Sequence, residues 1–70
     1  MYLTPGKKYL TRDGARIVEI VEGNTIPGQF NGIYLDSYDQ VLTSSWWSNG
    51  DFVNSFYNNP YDLVQELKVD

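Results

Sequence analysis

The sequence predicts a mainly β protein: a small, strongly bent antiparallel sheet or open barrel of about five strands with a short C-terminal helix. It forms one domain over residues 1–70. Three observations carry this. β-branched and aromatic residues gather in short runs, as strands require. Gly next to Asn or Asp separates the runs, at Asp13-Gly14, Gly23-Asn24 and Asn49-Gly50. The chain is near the lower size limit for a self-sufficient core, and a sheet that curls hides part of its edges.

The first strand runs from Lys7 to Thr11, and Arg12-Asp13-Gly14 forms the following turn. The second runs from Ala15 to Glu22. Its Ile17-Val18-Glu19-Ile20-Val21-Glu22 pattern also fits a helical period, but its β-branched content and flanking turn residues decide for strand. A loop from Gly23 to Gly28 leads into the third strand, Gln29 to Asp36, with Phe30, Ile33 and Leu35 as packing residues. Ser37-Tyr38-Asp39 turns the chain into the fourth strand, Gln40 to Trp47, where Leu42 and Trp46 share a face. Asn49-Gly50 closes a tight hairpin onto a fifth strand, Asp51 to Tyr57. Asn59 then suits a helix N-cap and Pro60 the first helical position, with Leu63, Val64 and Leu67 on one face. These predict a helix from Pro60 to about Leu67.

Composition narrows the function. There is no Cys and no His. Disulfides and thiolate zinc sites are excluded, and so are the commonest metal ligand and the commonest general base. Asp36, Asp39 and Asp51 lack calcium-loop spacing and read as turn residues. Ser44, Ser45 and Ser48 have no His to activate them. The expectation is a protein without catalysis, metal or cofactor. Stability must come from packing, with eleven aromatic residues supplying much of it.

Charge is uneven. Residues 1–16 hold Lys7, Lys8, Arg12 and Arg16 against Asp13, a net +3, whereas residues 17–70 hold Lys68 against eight acids, a net −7. So acidic a balance does not suit duplex nucleic acid. The start, Met1 to Lys7, has no basic segment leading into a long apolar run, and no stretch reaches the length of a membrane span. No membrane association is expected, and a cytoplasmic location is.

Two groups of residues are candidates for binding. Trp46 and Trp47 are adjacent, so strand alternation sends one into the core and the other outward. Trp46 belongs with Leu42 in the core, which leaves Trp47 as a contact residue. Tyr34, Tyr38 and Tyr57 extend that surface. The second group is Arg12 and Arg16 with Lys7 and Lys8, a basic hairpin suited to a phosphate or carboxylate.

The motifs Thr11-Arg12-Asp13-Gly14, Ser45-Trp46-Trp47-Ser48-Asn49-Gly50-Asp51-Phe52 and Asp62-Leu63-Val64 together resemble a loose group of small bacteriophage and prophage proteins. Those proteins carry a Thr-Arg-Asp-Gly hairpin, a Ser-Trp hairpin with a Gly and an aromatic residue, and a closing Asp-Leu-Val. Trp47 stands where a Thr is common in that group. The resemblance implies a small binding protein that interferes with a host process, such as an anti-defence inhibitor. Two mechanisms compete. In one, the aromatic face masks a host protein. In the other, a homo-oligomer sequesters a small nucleotide through the Arg12/Arg16 hairpin.

Overall fold

The computed structural model describes residues 1–54 and 58–68. Five strands form one open antiparallel sheet: β1 (Lys8–Thr11), β2 (Ile17–Gly23), β3 (Gln29–Leu35), β4 (Val41–Trp47) and β5 (Leu63–Leu67). Their order across the sheet is β4-β3-β2-β1-β5. The first four are a meander joined by hairpin turns, close to the predicted bounds. The sheet does not close, so it is an open sheet rather than a barrel.

The last third of the chain departs from the prediction. No helix occurs among the described residues, and Leu63–Leu67 pairs with β1 as a strand. The local signals were real but had a second outcome. The Asn59 side chain accepts the Tyr61 N–H at 2.8 Å, and the Asp62 N–H reaches the Asn59 carbonyl at 3.0 Å. Asn, then Pro at the second position, builds a single β-turn as readily as a first helical turn. The open edge of β1 then takes up Leu63–Leu67, and backbone pairing across the sheet wins over one more turn of helix.

Of the predicted strand from Asp51 to Tyr57, the described residues 51–54 form no strand. After the Asn49-Gly50 turn the chain makes one bridge, Trp46 to Phe52, and turns again at Val53 and Asn54. The end of that predicted strand, residues 55–57, lies outside the described residues. The turn itself is a three-residue loop: the Gly50 N–H donates to the Trp47 carbonyl at 2.8 Å, and the Trp47 N–H to the Asp51 carbonyl at 2.8 Å. Gly50 has φ 102°, the left-handed geometry expected of it, and a Cβ there would run into the Leu63 carbonyl.

One face of the sheet is covered. Leu3, Tyr9, Val18, Ile20, Trp46 and Leu63 form the core, with Phe30, Tyr34 and Phe52 against it. The N-terminal segment lies over this face: the Thr4 N–H donates to the buried Tyr9 hydroxyl at 2.8 Å, and the Leu3 N–H to the Ser48 carbonyl at 2.9 Å. The stretch that joins β4 to β5 covers the other end. Its anchor is Asp62, a buried carboxylate that accepts the Phe52 N–H at 2.8 Å and the Asn59 N–H at 3.0 Å. The Arg12 guanidinium lies 3.5 Å from the same carboxylate.

Trp46 sits at the centre. Its ring contacts Tyr34 edge-on at 6.1 Å and Phe52 at 5.6 Å, and its indole N–H donates to the Tyr61 carbonyl at 2.8 Å. Gly32 on β3 makes room for it: a Cβ at that position would lie 2.9 Å from Trp46 Cζ3 and 2.6 Å from Val18 Cγ1. Two bulges adjust which residues face inward. The pairing shifts at Val21 of β2 and at Val64 of β5. The second shift lets Leu63 lie with Thr11 on the covered face while Gln65 pairs with Leu10 on the other.

Candidate functional site

The opposite face of the sheet has no covering layer among the described residues. Strand alternation places there the neighbours of the core residues: Lys8 and Leu10, Ile17 and Glu19, Ile33 and Leu35, Val41 and Thr43. The register arranges them in rows. One row runs Gln65, Leu10, Ile17, Leu35, Val41, through the pairs Leu10 with Gln65, Leu10 with Ile17, and Leu35 with Val41. Ile17 and Leu35 meet one step beyond the pair Glu19 with Ile33. The next row runs Leu67, Lys8, Glu19, Ile33, Thr43. Four aliphatic side chains thus lie side by side across four strands, with Lys8 and Glu19 at opposed positions in the next row.

Three of these four side chains are open to solvent, and Leu10 is half-buried. Ile17 and Leu35 are each 54% exposed and Val41 is 65% exposed. Ile17, Ile33, Leu35 and Val41 with Lys8 and Glu19 line a shallow groove of about 300 Å³. Isolated exposed aliphatics are ordinary, but a contiguous apolar band on one face of a sheet is the form a docking surface takes.

The aromatic residues do not make one surface. Trp46 is fully buried, and Trp47 points to the opposite face, 40% exposed, at the end of β4 beside Gly28. Tyr38 is 83% exposed in the turn at the far end of the same strand. Tyr34 lies on the covered face, half-buried, its hydroxyl 3.2 Å from that of Ser44. Tyr57 lies outside the described residues. Trp47 and Tyr38 are therefore separated by the length of β4, and Tyr34 is on the other side of the sheet.

The basic hairpin is largely engaged within the chain. Arg16 lies 3.3 Å from Asp13 and stacks its guanidinium over the Tyr61 ring, 4.8 Å from the centroid. Arg12 faces Asp62, and Lys7 reaches Glu66 at 3.4 Å. Lys8 makes no ion pair among the described residues and points into the groove of the bare face. Asp13 is the most tightly held acid of this hairpin. The buried Thr11 hydroxyl donates to it at 2.6 Å and the Ala15 N–H at 2.9 Å. Those bonds, with Arg16 nearby, hold its carboxyl below the usual range despite some desolvation.

The turn acids are structural in the same sense. Asp36 accepts the Tyr38 N–H at 2.7 Å and the Gln40 N–H at 2.9 Å, Asp39 takes φ 61° in that turn, and Asp51 receives the Asn49 amide at 3.2 Å.

Comparisons with protein-family models, with curated proteins and with solved structures found no match. The site therefore rests on the chain's own geometry. Leu10, Ile17 and Val41 were missed as site residues, and Ile33 and Leu35 were expected to pack with Phe30. The signal was present: Ile17-Val18, Ile33-Tyr34-Leu35 and Val41-Leu42 are apolar at successive positions, and a strand with that pattern presents apolar side chains on both faces.

Proposed function

We propose that this protein is a small non-catalytic binding module that engages a protein partner through the bare face of its sheet. The observation that carries this is the aliphatic row Leu10, Ile17, Leu35, Val41, in which Ile17, Leu35 and Val41 are exposed and Leu10 is half-buried, on a sheet whose other face carries the core. Burying such a row against a partner yields about 25 cal/mol for each Å² of apolar surface removed from water. Lys8 and Glu19 beside it supply the polar contacts that fix orientation. Trp47, at the end of the same face, is the aromatic residue best placed to act as an anchor at its margin.

The likeness of its motifs to those of phage proteins makes a host protein the expected partner and inhibition of a host process the expected role. Sequestration of a nucleotide has less behind it, because Lys7, Arg12 and Arg16 each already face a carboxylate.

The test uses affinity capture from bacterial lysate followed by calorimetry with the purified partner. The double variant Ile17→Lys/Leu35→Lys is expected to keep its thermal midpoint and lose binding. Trp47→Ala is expected to weaken binding without abolishing it. Binding that survives the double variant but vanishes in Arg16→Ala would move the site to the hairpin.

A further inference from the structure

We infer that the end of the bare face around Trp47 is a binding site for a neutral oligosaccharide. The indole is the platform for a sugar ring, and the amides of Gln29 and Asn31 hold its hydroxyls. The site is separate from the aliphatic row, which lies at the opposite end of the same strands, and goes beyond the protein contact proposed above.

Two rows of side chains make this end. Trp47 stands opposite Gln29, and Asn24 lies beside Gln29, whose carbonyl accepts the Asn24 N–H at 3.1 Å. In the next row Ser45 stands opposite Asn31, and Asn31 opposite Glu22. The ladder bonds between β3 and β4 fall on even-numbered residues, since Ser48 N–H donates to the Gly28 carbonyl and Asp36 N–H to the Gln40 carbonyl. Gln29 with Trp47 and Asn31 with Ser45 are therefore the pairs whose side chains approach most closely. The segments that form this end, residues 22–31 and 45–53, lie wholly within the described residues. Val53, bonded to the Ser45 carbonyl at 3.3 Å, already leads the chain away from Trp47.

The hydrogen bonds of this cluster all run one way. The Asn24 amide donates to Gln29 Oε1 at 2.9 Å and to Ser45 Oγ at 3.5 Å, and the Ser45 hydroxyl donates to Asn31 Oδ1 at 3.0 Å. Asn24 Oδ1 in turn accepts the Ile26 N–H at 2.8 Å. These bonds use the amide oxygens of Gln29 and Asn31 and fix how each amide is turned. Their NH2 groups have no acceptor among the described residues, although both side chains are half-buried. The same holds for the Trp47 indole N–H, and the Glu22 carboxylate has no donor among those residues. Gly28 brings no side chain over the ring: a Cβ there would stand 3.9 Å from Trp47 Cε3.

A ring face beside three amide or indole donors and one carboxylate acceptor matches a pyranose. One face of such a sugar is made of C–H groups and lies against an indole, while the hydroxyls at its rim both accept and donate. An anionic ligand does not match. The five Lys and Arg residues lie at positions 7, 8, 12, 16 and 68, on and around β1 and β5, and the charge beside Asn31 is that of Glu22. One ring and a few hydrogen bonds on an open surface predict weak binding, with a dissociation constant of about 1 mM.

Nuclear magnetic resonance titration of isotope-labelled protein with cellopentaose and with β-linked galactotetraose tests this. Both present a sugar face made of C–H groups, and no partner protein is present. With at least one of them, the Trp47 indole N–H and the side-chain NH2 signals of Gln29 and Asn31 should shift together. The Trp46 indole N–H, bonded to the Tyr61 carbonyl, should hold still. Trp47→Ala should abolish the shifts of Gln29 and Asn31. Gln29→Met, which keeps the length of the side chain without its donors, should weaken binding about tenfold. The wild-type titration decides the matter even if Gln29→Met does not fold. No shift with either sugar at about 10 mM overturns the proposal. So does binding that survives Trp47→Ala in a folded protein. Adenosine monophosphate shifting these signals at lower concentration than either sugar also overturns it and makes this a nucleotide site.

Discussion

The two faces of this sheet are made by the same strands, with the residues of each face alternating along every one of them. On one face Tyr9, Val18, Ile20 and Trp46 lie beneath the N-terminal segment and the stretch between β4 and β5. On the other, Leu10, Ile17, Leu35 and Val41 form a row with no layer over it among the described residues, and all but Leu10 are exposed. Hydrophobicity alone does not separate them. What does is polar anchoring. The covered face has groups that tie a second layer down: the Tyr9 hydroxyl holds the N-terminal segment at Thr4, and the Asp62 carboxylate holds the chain at Phe52 and Asn59. The bare face has Lys8, Glu19 and Thr43 in the same role with nothing from this chain upon them among the described residues. It is organised like a surface awaiting its second layer.

Substitutions break or sharpen that contrast, and the largest effects belong to the covered face. Trp46→Ala removes the ring around which Tyr34 and Phe52 pack and should cost about 3–5 kcal/mol, a large part of the stability of a domain this size. Chemical denaturation is expected to show it unfolded or nearly so in the absence of denaturant. Asp62→Ala leaves the Phe52 and Asn59 N–H groups without their acceptor and should cost about 1–3 kcal/mol. Hydrogen exchange at those two amides should quicken more than in the strands.

Gly32→Ala tests the close approach of Trp46 to β3. The added methyl meets Val18 and the indole, so a loss of about 1–3 kcal/mol is expected, seen as a lower denaturation midpoint. On the bare face, Leu35→Lys should change stability by no more than about 0.5 kcal/mol by the same measurement. A loss comparable with that of Gly32→Ala would mean that the bare face is packed after all.

The smallest effect concerns acid. Asp13 has its pKa lowered in the folded chain from 3.8, by the Thr11 hydroxyl first and then by the Ala15 N–H and Arg16. A depressed carboxylate stabilises the fold above its unfolded pKa, and that contribution fades as pH falls through the folded value. Asp13→Asn should therefore destabilise the protein near neutral pH and differ little from the wild type below the lowered pKa. Thermal melts across that range check the sign.

Much of the fold was legible in the sequence, and what was not has a common cause. The first four strands follow from local signals: alternation, β-branching, and Gly at Asp13-Gly14 and Asn49-Gly50. The stretch after Gly50 was misread because its outcome depends on residues far back in the chain. Asp62 ties the chain down at Phe52 and Asn59, and the free edge of β1 claims Leu63–Leu67. Neither contact leaves a mark in the local pattern, whereas Asn59-Pro60 does, and it is ambiguous between a turn and a helix start. In the candidate site, Trp47 was placed outward correctly by alternation from Trp46. The aliphatic row was overlooked because Ile33 and Leu35 were grouped with Phe30, although odd and even positions of one strand face opposite ways.

The most direct measurement follows the methyl groups of both faces by nuclear magnetic resonance as the captured partner is titrated in. If the bare face is the binding surface, the methyl signals of Leu10, Ile17, Leu35 and Val41 shift or broaden together, while those of Val18 and Leu63 on the covered face hold still. Changes confined to Thr11 and Ala15, on the Arg12/Arg16 hairpin, with the aliphatic row undisturbed, would contradict it.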